Sequence, residues 1–508
     1  MKWKKAVYCG LGLFSLGFLG GCSSTGGSDT GEPIRIMAPV FGETAPEDDS
    51  DIQQKLEELT GHEIDITWIP DSSYGDRLSI VLAGDDVPDI LVSTGGSTIT
   101  SGVANGAFWQ LDDYIDQFEY LSQMDPNIRM NASFNGDTFG IYRSRDVIRS
   151  SVIIRRDWLE NLGLEAPTTI DEFTEMLIAF RDEDPTGTGE DTYGLIIPKW
   201  DGINNGGPFD IINTWFGVPN RTTVDEDGNV IFDFMTDEYM EALEYLKMLF
   251  DEDLINRDFA ILPTDDWNND FINGRAGVII DTQSRGNEVA GLLASANDVE
   301  DGSPWVTMIG NITTDNADAI LPTDGFNGHL MIPVQSVQSE ERLLEVLDFI
   351  DKLNSEEVHQ LLNLGIEGVH WQLTGDGGFE NIQIDDEALA RQNSANRASF
   401  AQLSMGVAGF QLPTSLTGTQ LETERISIRD GEEWLEKAVF NPTASLTSEV
   451  ETTRGATLGN IIADARVQFI SGQIDQDEFL AEVERWKESG GNDVIAELTE
   501  LYQENMMD

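Results

Sequence analysis

The stretch from Ser151 to Phe180 constrains this chain most, because three consecutive local signals dictate strand, helix, helix. Ser151 to Arg155 is an apolar run rich in Val and Ile, as a buried strand requires. Arg156 to Leu162 follows as a short helix stopped by Gly163, Pro167 makes a turn, and Thr169-x-x-Glu172 is a capping box that opens a second helix. In that helix Phe173, Met176, Leu177 and Phe180 stand at i, i+3, i+4 and i+7, so one face is apolar and has to lie against a sheet.

The same alternation runs through the earlier part of the chain. Pro33 to Val40 reads as a first strand, and Asp51 to Thr60 as a helix with Ile52, Leu56 and Leu59 on one face and Gly61 as its stop. Glu63 to Ile69 is a second strand, Tyr74 to Ala83 a helix, and Val87 to Val92 a third apolar run. Strands and helices joined by short links imply a parallel sheet, and such sheets meet ligands at the carboxyl ends of their strands. The loops at those ends are Phe41-Gly42-Glu43 and Ser93 to Ser97, which makes Phe41 and Thr94 candidate ligand contacts; a plain turn is the competing reading of the second loop. Later, Ser339 and Ser355 open amphipathic helices, and Asp475 and Asn492 are the expected caps of the last two.

At 508 residues and 40% hydrophobic content the chain is too long for one core and suits two lobes. Its 92 acidic residues against 30 basic ones give a formal charge of −62, which excludes nucleic acid and anionic lipid surfaces as electrostatic partners. The two cysteines, Cys9 and Cys22, both lie near the start. Lys2, Lys4 and Lys5 precede an apolar run from Ala6 to Leu19, too short to span a bilayer and suited to a secretory signal. Leu19-Gly20-Gly21-Cys22 is a lipobox-like sequence, so residues 1–21 are expected to be removed, Cys22 lipidated into the bilayer, and 22–32 left as a flexible tether.

The word order around the opening stretch, Arg-Arg-Asp-Trp-Leu followed by Leu-Gly-Leu-x-x-Pro-Thr-Thr-x-Asp-Glu-Phe, closely resembles the extracellular solute-binding receptors of ABC importers, in their carbohydrate-binding group. Phe108 to Ile115, Asn135 to Tyr142 and Phe271 to Ile280 look like further segments of that family, and Gly365 to Trp371 resembles a heptad of its large oligosaccharide-binding lipoprotein branch. The resemblance implies an α/β, two-lobed periplasmic-binding-protein-like fold of type II, with the ligand cleft between lobes joined by a multi-strand hinge. It places lobe 1 at 33–147 plus about 329–395 and lobe 2 at about 148–328 plus 396–508. It further implies an oligosaccharide ligand, ABC permease subunits as partners and a monomeric receptor on the outer face of the cell membrane. A secreted polysaccharide-degrading enzyme and a glycan-binding adhesin are the rival readings.

Residue chemistry adds the candidate site. No G-x-S-x-G, P-loop or H-E-x-x-H occurs, and the four histidines are scattered. Carboxylate pairs carry no signal in so acidic a chain. Trp200, Trp215, Trp267 and Trp371 stand among polar or glycine-rich neighbours and are candidate platforms for a sugar face, with core packing the competing reading; His370 adjoins the last of them. Trp109, Trp158, Trp434 and Trp486 are assigned to packing. Arg143 at the expected hinge and Arg285 after a strand are candidate clamps for a carboxylate. Asp184, Thr186, Thr188, Glu190 and Asp191 recur at spacings that suit a hard cation, and they line up with the calcium loop of alginate-binding relatives. Two threonines in place of that loop's asparagines weaken the case for structural Ca2+, and a solvated loop is the alternative.

Overall fold

A computed structural model describes residues 32–505 apart from 41–44, 49, 94, 201, 204, 205, 298–304, 375–377, 383 and 410–433. The strands in chain order are β1 (Ile34–Val40), β2 (Ile64–Pro70), β3 (Ile90–Ser93), β4 (Gly140–Ser144), β5 (Ser150–Arg155), β6 (Tyr193–Ile196), β7 (Thr222–Val224), β8 (Val230–Phe232), β9 (Ala276–Thr282), β10 (Val306–Ile309) and β11 (Phe326–Met331). They form two main sheets, ordered β2-β1-β3-β11-β4 and β10-β5-β9-β6, while β7 and β8 make a separate hairpin.

In the first sheet β1 runs parallel to β2 and β3, as short strand–helix–strand links require. The sheet is not wholly parallel: β11 enters antiparallel to both β3 and β4. Ile36, Val92, Leu330 and Ile141 face one core with Leu343, Leu347 and Ile350 of the helix Glu340–Lys352. In the second sheet β5 is antiparallel to β10 and β9, and β6 is parallel to β9. That sheet buries Val152, Ile154, Val278 and Ile280 against helices on one face, and Ile153, Ile279 and Val306 on the other.

The chain passes from the first sheet to the second between Ser144 and Ser150, and returns between Ile309 and Phe326. It crosses again between Val407, packed in the first core, and Trp434, packed in the second. Phe400, Leu403, Met405 and Val407 therefore belong with the first lobe, beyond the boundary at 395 read from the sequence. The crossings pair with one another. Arg145 N donates to Gly325 O at 2.9 Å and Thr323 N to Val147 O at 2.7 Å, while Ile320 N donates to Lys437 O at 3.1 Å and Val439 N to Ile320 O at 3.2 Å. Gly325 has φ +83°, and a Cβ there would stand 2.7 Å from Ile128 Cγ1, so this turn of the hinge needs glycine.

The opening stretch of the sequence folds as its local signals dictate. After β5 come the helix Arg156–Leu162, Gly163 in the left-handed region, and the helix Ile170–Asp182 with its Thr169/Glu172 capping box. Phe173, Leu177 and Phe180 are fully buried, and Phe180 meets Trp158 edge-on with ring centroids 5.2 Å apart. At the other end of the chain Asn492 is no cap, because the helix Gln476–Trp486 continues through a wide turn at Lys487–Gly491 into Asn492–Asn505. Gly277 of β9 passes directly beneath the Phe180–Trp158 pair, where a Cβ would lie 2.3 Å from Phe180 Cδ2. Gly277→Ala is expected to lower stability by about 1–3 kcal/mol through overpacking, read as a shift of the urea midpoint at constant slope.

Candidate functional site

The two sheets face each other across the hinge, and a groove opens beside it. On the first lobe, β3 ends in Ser93 and the chain turns through Gly95 and Gly96, both at positive φ, into the helix Ser97–Ala104. On the second, the helix Glu449–Ile470 begins at Ser448, whose Oγ accepts from Glu451 N at 3.0 Å. Between them lies a cavity of about 610 Å³ walled by Gly96, Ser97 and Thr100 from one side and by Gly202, Glu451 and Asn460, among others, from the other. A chamber of about 490 Å³ shares Thr100, Thr447 and Thr452 with it and adds Asn105, Phe134 and Asp137. The lobes touch at this seam, where Asn135 N donates to Ser445 O and Thr447 N to Asn135 Oδ1, both at 2.9 Å.

Charges at the groove and hinge are few and perturbed. Arg221 and Glu451 form an ion pair across the wall of the larger cavity. Asp324, on the returning hinge strand, has its carboxyl raised above the usual range by loss of surrounding water, against the pull of Arg221. Burial, then the neighbouring charge of Arg145, lowers Arg143 to about 10.

Burial withdraws three of the four candidate tryptophans from the site. Trp215 is fully buried edge-on to Phe173 at 5.4 Å. Trp267 is also fully buried, with its Nε1 donating to Ile196 O at 3.1 Å. Arg285 lies over the Trp267 ring at 4.4 Å and is held by Asp281 and by Asn268 Oδ1 at 3.0 Å, so its guanidinium serves the core of this lobe. Trp371 donates from Nε1 to Gly365 O at 2.9 Å, and His370 Nδ1 accepts from Ile366 N at 2.9 Å, so both side chains fold their own heptad into a closed turn. Polar neighbours along the chain misled here, because these indoles point inward while their neighbours point out.

Trp200 stands apart. It is half-buried, packs edge-on to Trp267 at 5.8 Å, and lines a side pocket of about 220 Å³ with Phe209 and Phe259. That pocket adjoins the large cavity at Gly202 and Asn460, which line both. Arg466, buried in the helix Glu449–Ile470, holds this wall in place: it donates to Gly202 O at 3.0 Å and Trp200 O at 3.3 Å, and stacks over Phe209 at 4.2 Å. Neither Arg466 nor the cavity residues Ser97, Thr100 and Asn460 was signalled by the sequence; an arginine among buried positions of an amphipathic helix was the one available hint. Arg143 is buried, donating to Asn327 O at 3.3 Å and Gln402 Oε1 at 3.0 Å. Phe41, Thr94 and Cys22 lie outside the described residues.

The loop suggested for calcium closes on itself. Asp184 accepts from Thr188 N at 3.1 Å, Gly189 N at 3.0 Å and Thr186 Oγ1 at 3.1 Å, and Thr186 and Thr188 hydroxyls lie 2.7 Å apart. The Gly189 amide, chief among these donors, holds the Asp184 carboxyl below the usual range. One carboxylate already satisfied by its own loop, with two neutral hydroxyls, is a poor match for a divalent cation. Among the described residues no three His, Cys, Asp or Glu side chains converge as a metal group, Glu190 and Asp191 included.

Two α/β lobes, a paired hinge and a groove walled by both define a receptor that holds a solute between its halves. Residues 43–360 match the family of bacterial extracellular solute-binding proteins, and the chain belongs to that family. It is 42% identical over 492 residues, 96% of each chain, to Lipoprotein LipO of Bacillus subtilis (strain 168). It is 32% identical over 517 residues, 99% of each chain, to the polygalacturonan/rhamnogalacturonan-binding protein YtcQ of the same organism. Among solved structures, an extracellular solute-binding protein from Bifidobacterium longum subsp. infantis superposes with a TM-score of 0.72 at 18% identity, covering 94% of this chain and 99% of that one. The S. pneumoniae ABC-transporter substrate-binding protein FusA in complex with kestose gives 0.64 at 18% identity, covering 93% and 99%. At such identity these two show a shared fold.

Calorimetric titration with calcium after chelation is expected to give no saturable heat in the micromolar range, and a stoichiometric isotherm lost in Asp184→Ala would overturn that. A second outcome concerns pH. His329, on β11 opposite Ser93, is buried with one ring nitrogen on Ala132 O at 2.9 Å, and burial lowers its pKa to about 4. The unfolded chain therefore takes up this proton first, so the contribution of His329 is intact above about 6.5 and declines as pH falls toward 4, by roughly 3 kcal/mol. Urea unfolding at pH 7 and pH 4.5 should show this loss shrinking in His329→Gln.

Proposed function

We propose that the chain is the lipid-anchored substrate-binding component of an ABC importer and that it captures an oligosaccharide outside the cell. The observation that carries this reading is the groove with one wall on each lobe, beside a hinge of hydrogen-bonded crossings. A ligand that touches both walls favours the closed form, since only closure offers both sets of contacts, and a permease can read that closure. The groove wall mixes hydroxyls and glycines with Ile203, Phe232 and Leu458, the combination that suits a sugar's hydroxyl edge and apolar face.

The names of relatives support a glycan. The 32% identical relative is named for binding polygalacturonan and rhamnogalacturonan, and the structurally similar FusA was solved with kestose. Trp200 in its side pocket is the indole available to stack on a sugar ring; covering about 60 Å² of apolar face contributes roughly 1.5 kcal/mol. The lipobox at Leu19-Gly20-Gly21-Cys22 and a 42% identical relative named as a lipoprotein support the anchor. Capture and closure need no bond chemistry, in keeping with the missing catalytic motifs.

Titration with a broad glycan panel is expected to give a saturable change in tryptophan fluorescence, with compaction in solution scattering and no cleavage products. Scattering unchanged by every glycan would refute the reading, and product formation would favour an enzyme. In the native host, Cys22→Ala should move the protein from the membrane fraction to the medium.

A further inference from the structure

In a chain with 92 acidic and 30 basic residues, an arginine meets a carboxylate almost by default, and Arg129, Arg181, Arg221, Arg285 and Arg342 each form an ion pair. Three arginines at the first crossing differ. Arg143 ends its strand one residue before Ser144, Arg145 opens the crossing and Arg149 closes it. Among the described residues none of the three has a carboxylate within ion-pair distance. Arg143 spends two guanidinium nitrogens on Asn327 O and Gln402 Oε1 and leaves its buried Nε without a partner. Arg149 donates to Ser284 Oγ at 3.0 Å, and the Arg145 side chain is exposed.

The three cations feel one another. Arg145 makes Arg143 less basic, and Arg149 does the same to Arg145; in both cases loss of water is the larger cause, and Asp146 opposes it weakly at Arg145. They also span the seam. Arg143 is tied to Asn327 and Gln402 of the first lobe, and Arg149 to Ser284 in the first turn of the helix that follows β9 in the second. Uncompensated like charges held on both sides of a hinge oppose their own approach, and an anion placed among them reverses the sign of that effect.

We propose that Arg143, Arg145 and Arg149 form an anion-recognition site at the hinge, and that the oligosaccharide captured by this protein carries carboxylates, as uronate residues do. The proposal rests on the binding function above and adds the ligand's charge class. A guanidinium fork fits a carboxylate with two parallel charge-assisted hydrogen bonds, which no neutral hydroxyl can match. The rest of the groove leaves this selection to the hinge. Arg221 and Glu451 answer each other in the large cavity, while Asp137 and Glu449 in the adjoining chamber repel a carboxylate.

The test is calorimetry on the mature chain with tetragalacturonate, its methyl ester, and a neutral galactose tetramer. The acid is expected to bind at least tenfold more tightly than its ester. Arg145→Gln and Arg149→Gln should each weaken the acid by about 10- to 100-fold, leaving the melting temperature of the free protein unchanged. Arg145→Lys, which keeps the charge without the fork, should fall between. An ester or neutral tetramer that binds as tightly as the acid overturns the charge assignment while sparing the receptor reading, as does an Arg145→Gln Arg149→Gln double variant within twofold of the parent. Failure of every glycan in a broad neutral and acidic panel would overturn the receptor reading itself.

Discussion

Everything functional in this molecule depends on how the chain crosses between its two cores. Each core is complete on its own side, the first around Ile36, Val92 and Leu330 and the second around Val152, Phe173 and Val278. The crossings add little apolar burial, but their backbone groups must be paired, and they pair with each other through Arg145–Gly325, Val147–Thr323 and Ile320–Lys437. A ribbon of this kind resists shear and twist far more than bending about one axis. Two rigid bodies joined by it retain a single soft motion, opening and closing, and the groove is the space that this motion controls.

The walls of that groove are built by devices that keep loops short and backbones close. Gly95 and Gly96 let the chain turn directly from β3 into a helix, which brings Ser97 and Thr100 to the groove's edge. On the opposite wall Gly207 leaves room for the Trp200 indole, since a Cβ there would stand 2.1 Å from its Nε1. Arg466 supplies from inside the lobe the hydrogen bonds that the carbonyls of Trp200 and Gly202 need. A buried guanidinium committed to backbone carbonyls and an aromatic face is costly to dislodge, so this wall is preorganised before any ligand arrives.

Charge has a separate logic. The exterior is strongly acidic, and most cations are spent on local ion pairs at the surface, each of small energetic value. Against that background the arrangement at the crossing is unusual in keeping its arginines for hydroxyl and carbonyl oxygens. An overall anionic body with a cationic seam would repel anionic solutes at long range and hold them only at short range. Salt screens the first effect more than the second, because the seam is partly desolvated.

Local signals determined a good deal by themselves. The Thr169/Glu172 box, Gly163, Gly61, Ser339 and Ser355 each act within one helical turn, so their outcome needed no tertiary partner, and the helices start and stop where those residues stand. Strand periodicity likewise determined β1, β2 and β5, and the word order around Arg156 carried the family. Only the tertiary structure decided which indoles are accessible. Trp215, Trp267 and Trp371 have polar neighbours one or two residues away, yet each points into a core assembled from segments tens to hundreds of residues distant. The same holds for β11 running against its sheet, for Phe400 to Val407 joining the first lobe, and for Arg466 reaching the Trp200 loop. Burial depends on what packs from afar, and a chain read locally holds no record of that distance.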